Sequence, residues 1–221
     1  MKILILVAHP DDETIGCAGT IYRHFKNKDK IYIASFTDGV SSRGGRNQKK
    51  KRRIDQSLKV SKVLGFTWTN QYSFPDNSLD KVPLIKIIKK IEKIKKKIKP
   101  DIIYTHSKYD LNVDHRVIFQ SVLTAFRPQP KDNLTEIRCM EVSSATDYGD
   151  QMSLKSFKPN LFIDIKKYWI KKEECLNIYK EELRRYPHSR SVKAIKNLSK
   201  YRGSQVGIEM AESFEIIRKI L

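Results

Sequence analysis

The sequence predicts an α/β fold: a single-domain, Rossmann-like, mostly parallel sheet with helices on both faces. Three observations predict it. Short β-branched apolar runs alternate with segments whose apolar residues recur at helical spacing. Turn residues and prolines punctuate the alternation. The chain has 221 residues, enough to bury one core without staples, and shows no internal repeat or linker, so residues 1–221 read as one domain.

The elements follow in order. Ile3 to Val7 has the length and β-branching of a buried strand. Thr14 to Thr20 could open a helix packed closely on the sheet through Gly16 and Gly19, and Thr20 to Phe25 continues it. Ile31 to Phe36 is a second strand ending at Thr37-Asp38-Gly39, followed by a polar loop, Val40 to Gln48, whose Arg43 and Arg46 read as surface charges. Arg53 to Leu64 is a helix stopped by Gly65, and Thr67 to Tyr72 a short strand before the turn Phe74-Pro75-Asp76-Asn77. Leu84 to Ile98 is the clearest helix, with isoleucines on one stripe and lysines opposite. Ile102 to Thr105 is a strand and Arg116 to Phe126 a helix ending before Pro128. Ile137 to Val142 and Leu161 to Ile165 are further strands. Lys166 to Tyr186 reads as one long helix, and Ser191 to Tyr201 and Glu209 to Ile220 as the last two.

Val7 to Gly16, V-A-H-P-D-D-E-T-I-G, breaks the first strand with a histidine and three acids, and Pro10 forces a turn. The carboxyl ends of strands in an open α/β sheet are where ligands bind. His9 and Asp12 on such a turn can both reach one metal ion. A second cluster, His106 to Arg116, follows another strand and ends in Asp114-His115. His9, Asp12 and His115 then make a two-His, one-carboxylate set with an open fourth position, the arrangement of a catalytic zinc. Fe2+ would serve the same donors. Asp11, beside a ligand, is placed as a general base for a zinc-bound water whose pKa falls to roughly 7. Attack on a polarised carbonyl implies amide or ester hydrolysis.

At these residues the chain resembles the PIG-L/LmbE family of zinc-dependent N-acetylglucosaminyl deacetylases. Ala8 to Glu13 is similar to the family's first motif and Asp114-His115 to its second. Further likeness runs through Thr37-Asp38-Gly39, Phe74-Pro75-Asp76-Asn77, Asp110 to Arg116, and Arg202-Gly203 to Ala211-Glu212-Ser213-Phe214. The resemblance implies that His9, Asp12 and His115 bind Zn2+, that Asp11 is the base, and that Arg53 and Asp76 contact sugar hydroxyls. It implies removal of the N-acetyl group from an amino sugar or sugar conjugate, with a sugar nucleotide or glycan precursor suiting the positive charge. Many members carry a histidine three residues before the last ligand, and Asn112 stands there in this chain. An amide can donate to an oxyanion but cannot shuttle a proton. His188, in Tyr186-Pro187-His188-Ser189-Arg190, is a candidate for the missing group on the substrate side. Asp114 is expected to orient a ring or backbone group near the metal, with His106 behind it.

Composition narrows the alternatives. The net charge is +19, carried largely by Lys49 to Arg53 and Lys86 to Lys99. No nucleic-acid recognition module or aromatic-interleaved basic stripe accompanies it. No apolar run reaches membrane-span length, and the N-terminal segment is a poor match to a signal peptide. The cysteines Cys17, Cys139 and Cys175 have neither zinc-ribbon nor disulfide spacing, which favours a reducing cytoplasm. A dinucleotide enzyme would need Gly-x-Gly-x-x-Gly after the first strand, where acids stand instead. The runner-up is a non-catalytic module on the same fold binding anionic glycans or nucleic acid. A homo-oligomer is compatible with the sequence.

Overall fold

In the computed structural model, residues 1–44, 47–130, 132–149 and 156–221 are described. Arg46 and residues 150–155 of the loop after the fifth strand lie outside them. Seven strands, β1 (Lys2–Val7), β2 (Lys30–Thr37), β3 (Thr67–Phe74), β4 (Ile102–His106), β5 (Glu136–Met140), β6 (Leu161–Asp164) and β7 (Ala211–Lys219), form one sheet in the order β3-β2-β1-β4-β5-β7-β6. β1 pairs in parallel with both β2 and β4, β2 with β3, and β4 with β5. The helices are α1 (Asp12–Lys26), α2 (Asn47–Leu64), α3 (Leu84–Ile98), α4 (Val113–Ala125), α5 (Trp169–Ile178) and α6 (Val192–Ser204).

The side-chain period of a strand explains the two-faced core. Ile3, Ile5 and Val7 of β1 point to one face and pack with Ile15 and Ile21 of α1, Val60 and Leu64 of α2, Leu176 of α5 and Ile195 of α6. Leu4, Leu6 and Ala8 point to the other, against Ile87, Ile91 and Ile94 of α3 and Ile118 and Val122 of α4. With both faces covered, a parallel strand reads as a continuous apolar run, as Ile3 to Val7 does. The α3 stripe lies as expected: its isoleucines at 87, 88, 91, 94 and 98 are buried, while Lys86, Lys89, Lys93, Lys96 and Lys97 are exposed.

Two expectations fail in the last third of the chain. Residues 209–220 form no helix. Ala211–Lys219 is β7, antiparallel between β5 and β6. Phe214 is fully buried and Ile216 and Ile217 are β-branched, so pairing on both sides outweighs a pattern that also fits a helix. Lys166–Tyr186 is likewise not one helix. A 3-10 turn over Lys166–Tyr168 leads into α5, which ends at Ile178, and turns carry the chain to a cis Tyr186-Pro187 bond. Smaller shifts concern ends: α1 starts at Asp12, and α6 is capped by Ser191, whose hydroxyl accepts from the Ala194 amide at 3.1 Å.

Strand order reverses direction between β1 and β4. That switch point opens a crevice at their carboxyl ends, where the loops bearing His9 and His115 diverge.

Candidate active site

The two loops bring three atoms together. His9 Nδ1 lies 3.1 Å from Asp12 Oδ2, Asp12 Oδ2 lies 3.3 Å from His115 Nε2, and His115 Nε2 lies 3.3 Å from His9 Nδ1. Asp12 and His115 are buried and His9 nearly so. The other nitrogen of each ring is engaged. His115 Nδ1 faces Asp110 Oδ2 at 2.8 Å, and His9 Nε2 faces Asp76 Oδ1 and Asp114 Oδ2, each at 3.3 Å. When those nitrogens carry the protons, two imidazole lone pairs and a carboxylate oxygen point into one spot. A cation shared by the three atoms would reconcile them. A tetrahedral zinc with bonds of about 2.0–2.1 Å holds its donors about 3.3–3.4 Å apart, close to the triangle found. Asp12 Oδ1 is also buried without a hydrogen-bond partner among the described residues, a cost that a shared cation offsets. The donor set therefore fits a divalent metal.

Charge follows the same pattern. Burial opposes charge on His9 and His115, but Asp12, together with Asp114 and Asp76 at His9 and Asp110 at His115, outweighs it and raises both. Burial opposes charge on Asp12 as well, and His115, His9 and His106 together hold it well below the usual carboxylate range. His106 is buried and stacks on His115 with ring centroids 3.7 Å apart. Its Nε2 accepts the Ala8 amide at 2.8 Å, and burial beside His115 keeps it neutral.

Asp11 sits next to this centre, 2 % exposed, and forms part of a cleft of about 250 Å3. The cleft is shared with His9, Asp76, Asn77, Asn112, Ser144 and Arg190, among others. Burial raises the Asp11 pKa and neighbouring Asp12 adds to the rise, against the pull of Arg53 and Arg190. Arg53 Nη1 is 3.5 Å and Arg190 Nη1 3.8 Å from Asp11 Oδ2.

The remaining expected residues divide. Asp76 lines the cleft, yet its oxygens are taken by Ser42 Oγ at 2.5 Å, the Ser42 amide at 3.1 Å and Thr37 Oγ1 at 3.3 Å. Asp114 accepts the Asn77 and Leu79 amides at 2.8 and 2.9 Å while facing His9, so it joins the 74–79 turn to the ring. Asn112 is the N-cap of α4. Its Oδ1 accepts the Asp114 amide at 2.8 Å and its Nδ2 donates to Asn77 Oδ1 at 3.3 Å. Arg53 is not brought to the cleft wall. It is buried behind the turn, donating to Pro10 O at 2.7 Å, paired with Glu182 and lying over Tyr179. His188 is half-buried, accepts the Arg190 amide at 3.0 Å and lies edge-on to Tyr148.

Sequence reasoning missed three residues here. Asp110, the partner of His115 Nδ1, lay in the quoted motif, and its offset of five residues was the available signal. Arg190 is the cation lining the cleft among the described residues, and Glu182 reaches the site from beyond α5. Neither has a signal in the chain, because turns without periodicity carry both.

The PIG-L family, described as GlcNAc-PI de-N-acetylase, matches residues 4–126, more than half of the chain. The uncharacterized deacetylase YaiS of Escherichia coli (strain K12) is 28% identical over 171 residues, covering 74% of this chain and 82% of that protein. N,N'-diacetylchitobiose deacetylase from Pyrococcus horikoshii superposes with a TM-score of 0.79 at 18% identity, covering 98% of this chain and 84% of that one. GalB, the 4-carboxy-2-hydroxymuconate hydratase of Pseudomonas putida KT2440, superposes with a TM-score of 0.77 at 15% identity, covering 100% and 97%. The last two likenesses concern the fold, which hosts more than one chemistry. The match over β1 to α4 spans both loops of the candidate site and every helix between them, and by it this chain belongs to the PIG-L family of GlcNAc-PI de-N-acetylases.

Proposed function

We propose that the protein is a metal-dependent N-deacetylase that hydrolyses the acetamide of an N-acetylated amino sugar or sugar conjugate. The observation that carries the proposal is the converging His9–Asp12–His115 triangle with the buried Asp11 carboxylate beside it. Membership in the PIG-L family supports deacetylation as the reaction class. A divalent cation held by His9, Asp12 and His115, Zn2+ with Fe2+ as alternative, would supply Lewis-acid activation of water and of the acetyl carbonyl.

The chain's own groups do the rest. Asp11 accepts a proton from the attacking water as its oxygen bonds to the acetyl carbon. It returns that proton to the sugar nitrogen as the C–N bond breaks, leaving acetate and a free amine. Asp110 and Asp114 fix the ring nitrogens that must keep their protons. Asp76 holds the far side of His9 and shapes the cleft wall. Arg53 orients Asp11 from behind, while Arg190 and Asn112 face the substrate side. His188 supports Arg190 through its amide. A polar cleft of about 250 Å3 lies below the common range of about 300–1,000 Å3 for drug-sized ligands and suits a single hydroxylated ring.

The test is acetate release from a panel of N-acetyl sugars, sugar nucleotides and glycan precursors, with and without chelator. Asp11→Asn is expected to lower kcat about 10²–10⁴-fold while leaving bound metal unchanged. Full activity in that variant, or in metal-free protein, would refute the mechanism. Nucleic-acid or glycan retention that survives His115→Ala, with no acetate from any substrate, would favour the binding module instead.

A further inference from the structure

α1 is not one straight helix. Its backbone leaves helical geometry at Cys17, where φ is −149° and ψ is 23°. The break separates the first turn, which carries Asp12 and Glu13, from the length that packs along the sheet. Ile15 O and Gly19 N are the acceptor and donor of one i→i−4 step across it. In this protein Lys172 Nζ donates to Ile15 O at 2.8 Å. Gly19 N donates to Glu212 Oε1 at 3.0 Å, and Thr20 N to Glu212 Oε2 at 2.7 Å. Lys172 and Glu212 pair at 2.7 Å, and each side chain is 2% exposed.

One buried ion pair thus serves both sides of the break. Glu212 caps the second half of the helix at its N-terminus, and Lys172 caps the first half at its C-terminus. Burying two charges is costly unless their remaining hydrogen bonds are met, and here backbone groups of the break meet them. Both residues lie outside the matched residues 4–126, in α5 and β7. The same region presses on the first turn elsewhere: Tyr179 Oη donates to Glu13 Oε1 at 3.2 Å.

We infer that Lys172 and Glu212 are positioning residues which set the direction of the first turn of α1 and so aim the Asp12 carboxylate at His9 and His115. The inference rests on the reading of Asp12 as a metal ligand. It gives the Ala211-Glu212-Ser213-Phe214 motif a task that the chemistry of the cleft does not.

The experiment titrates the full-length protein with Co2+ against a chelating indicator and records the Co2+ absorption spectrum, with circular dichroism to confirm folding. Glu212→Gln keeps the shape but turns an N–H toward the amides or Lys172. Lys172→Met removes the donor to Ile15 O. Each is expected to weaken Co2+ binding about tenfold, at the low end of the range for residues that support ligands, and to alter the spectrum. Arg202→Met is the control. It breaks the Arg202–Glu141 pair, at 2.6 and 2.9 Å, which donates nothing to α1, and is expected to lower the melting temperature without moving Co2+ affinity. Folded Glu212→Gln and Lys172→Met proteins with wild-type Co2+ affinity would overturn the inference. Where either does not fold, Glu212→Asp, which retracts the carboxylate by one methylene, is read in its place, and wild-type affinity there overturns it equally. Wild-type protein that binds no Co2+ would overturn the metal-centre reading itself, and this inference with it.

Discussion

Asp12 holds its place because three histidines and the His9 amide converge on it, and each histidine is held by a different carboxylate or amide. Asp110 is the clearest case, with one oxygen on His115 Nδ1 at 2.8 Å and the other accepting Thr146 Oγ1 at 2.6 Å. Asp110→Asn is expected to weaken metal affinity about 10–100-fold, because an amide placed there can oppose the ring N–H with its own. Competition with a chelating indicator measures this, and unchanged affinity would remove Asp110 from the site. His24 offers a separate check on burial. It lies between Asp29 Oδ2 at 2.7 Å and Tyr104 Oη at 2.9 Å. Burial lowers its pKa below 6.5, and Asp29 only partly opposes this. The folded state therefore binds fewer protons than the unfolded chain just below that pH. This contribution to stability is complete above pH 6.5 and is lost as the pH falls below it. The melting temperature of wild type should drop more steeply than that of His24→Gln as pH falls through this window, and parallel curves would contradict it.

At the scale of elements, legibility tracked periodicity. α3 could be read residue by residue because its isoleucine stripe is buried and its lysines are exposed. β7 could not, because Ala211–Lys219 also fits a helical pattern and only pairing with β5 and β6 decides for strand. The kink of α1 was equally illegible, since the groups that stabilise it come from Lys172 and Glu212. Close packing of α1 makes Gly19 a sensitive position. A Cβ there would stand 2.7 Å from Ile165 Cγ2 and 2.8 Å from Ile165 Cβ, in a side chain with no exposure. Alanine favours a helix by about 1 kcal/mol over glycine, but overpacking costs about 1–3 kcal/mol, and Ile165 has nowhere to move. Gly19→Ala is expected to lower stability by about 1–2 kcal/mol in denaturant unfolding. A stabilised variant would show that helix and β6 end are not in close contact.

For the molecule as a whole, the candidate metal site joins the two halves of the sheet on either side of the switch point. His9 and Asp12 follow β1, and His115 and its partner Asp110 follow β4. A ligand bound across that division stabilises the entire folded state. Zn2+ at a hundredfold excess over its Kd should add about 2.7 kcal/mol and raise the melting temperature, and His115→Ala should lose the response. An unchanged melting curve of the wild type on adding Zn2+ would argue against the site. Lys86, Lys89, Lys93, Lys96 and Lys97 of α3 project into solvent, while among the described residues the candidate cleft presents Asp11 and Asp76 beside Arg190.

The sequence by itself determined the alternation of strands and helices through Ala125, the placing of both acidic motifs after strands, and the donor types of the candidate metal set. Those features are local, since a strand's apolar run, a breaking proline and a His-x-x-Asp spacing act within a few residues. Tertiary structure alone decided that β7 is a strand, that Arg53 braces Asp11 from behind while Arg190 faces the cleft, and that α1 bends over a buried ion pair. Each of those depends on groups brought together from distant parts of the chain, and a contact between distant positions leaves no periodic trace in a single chain.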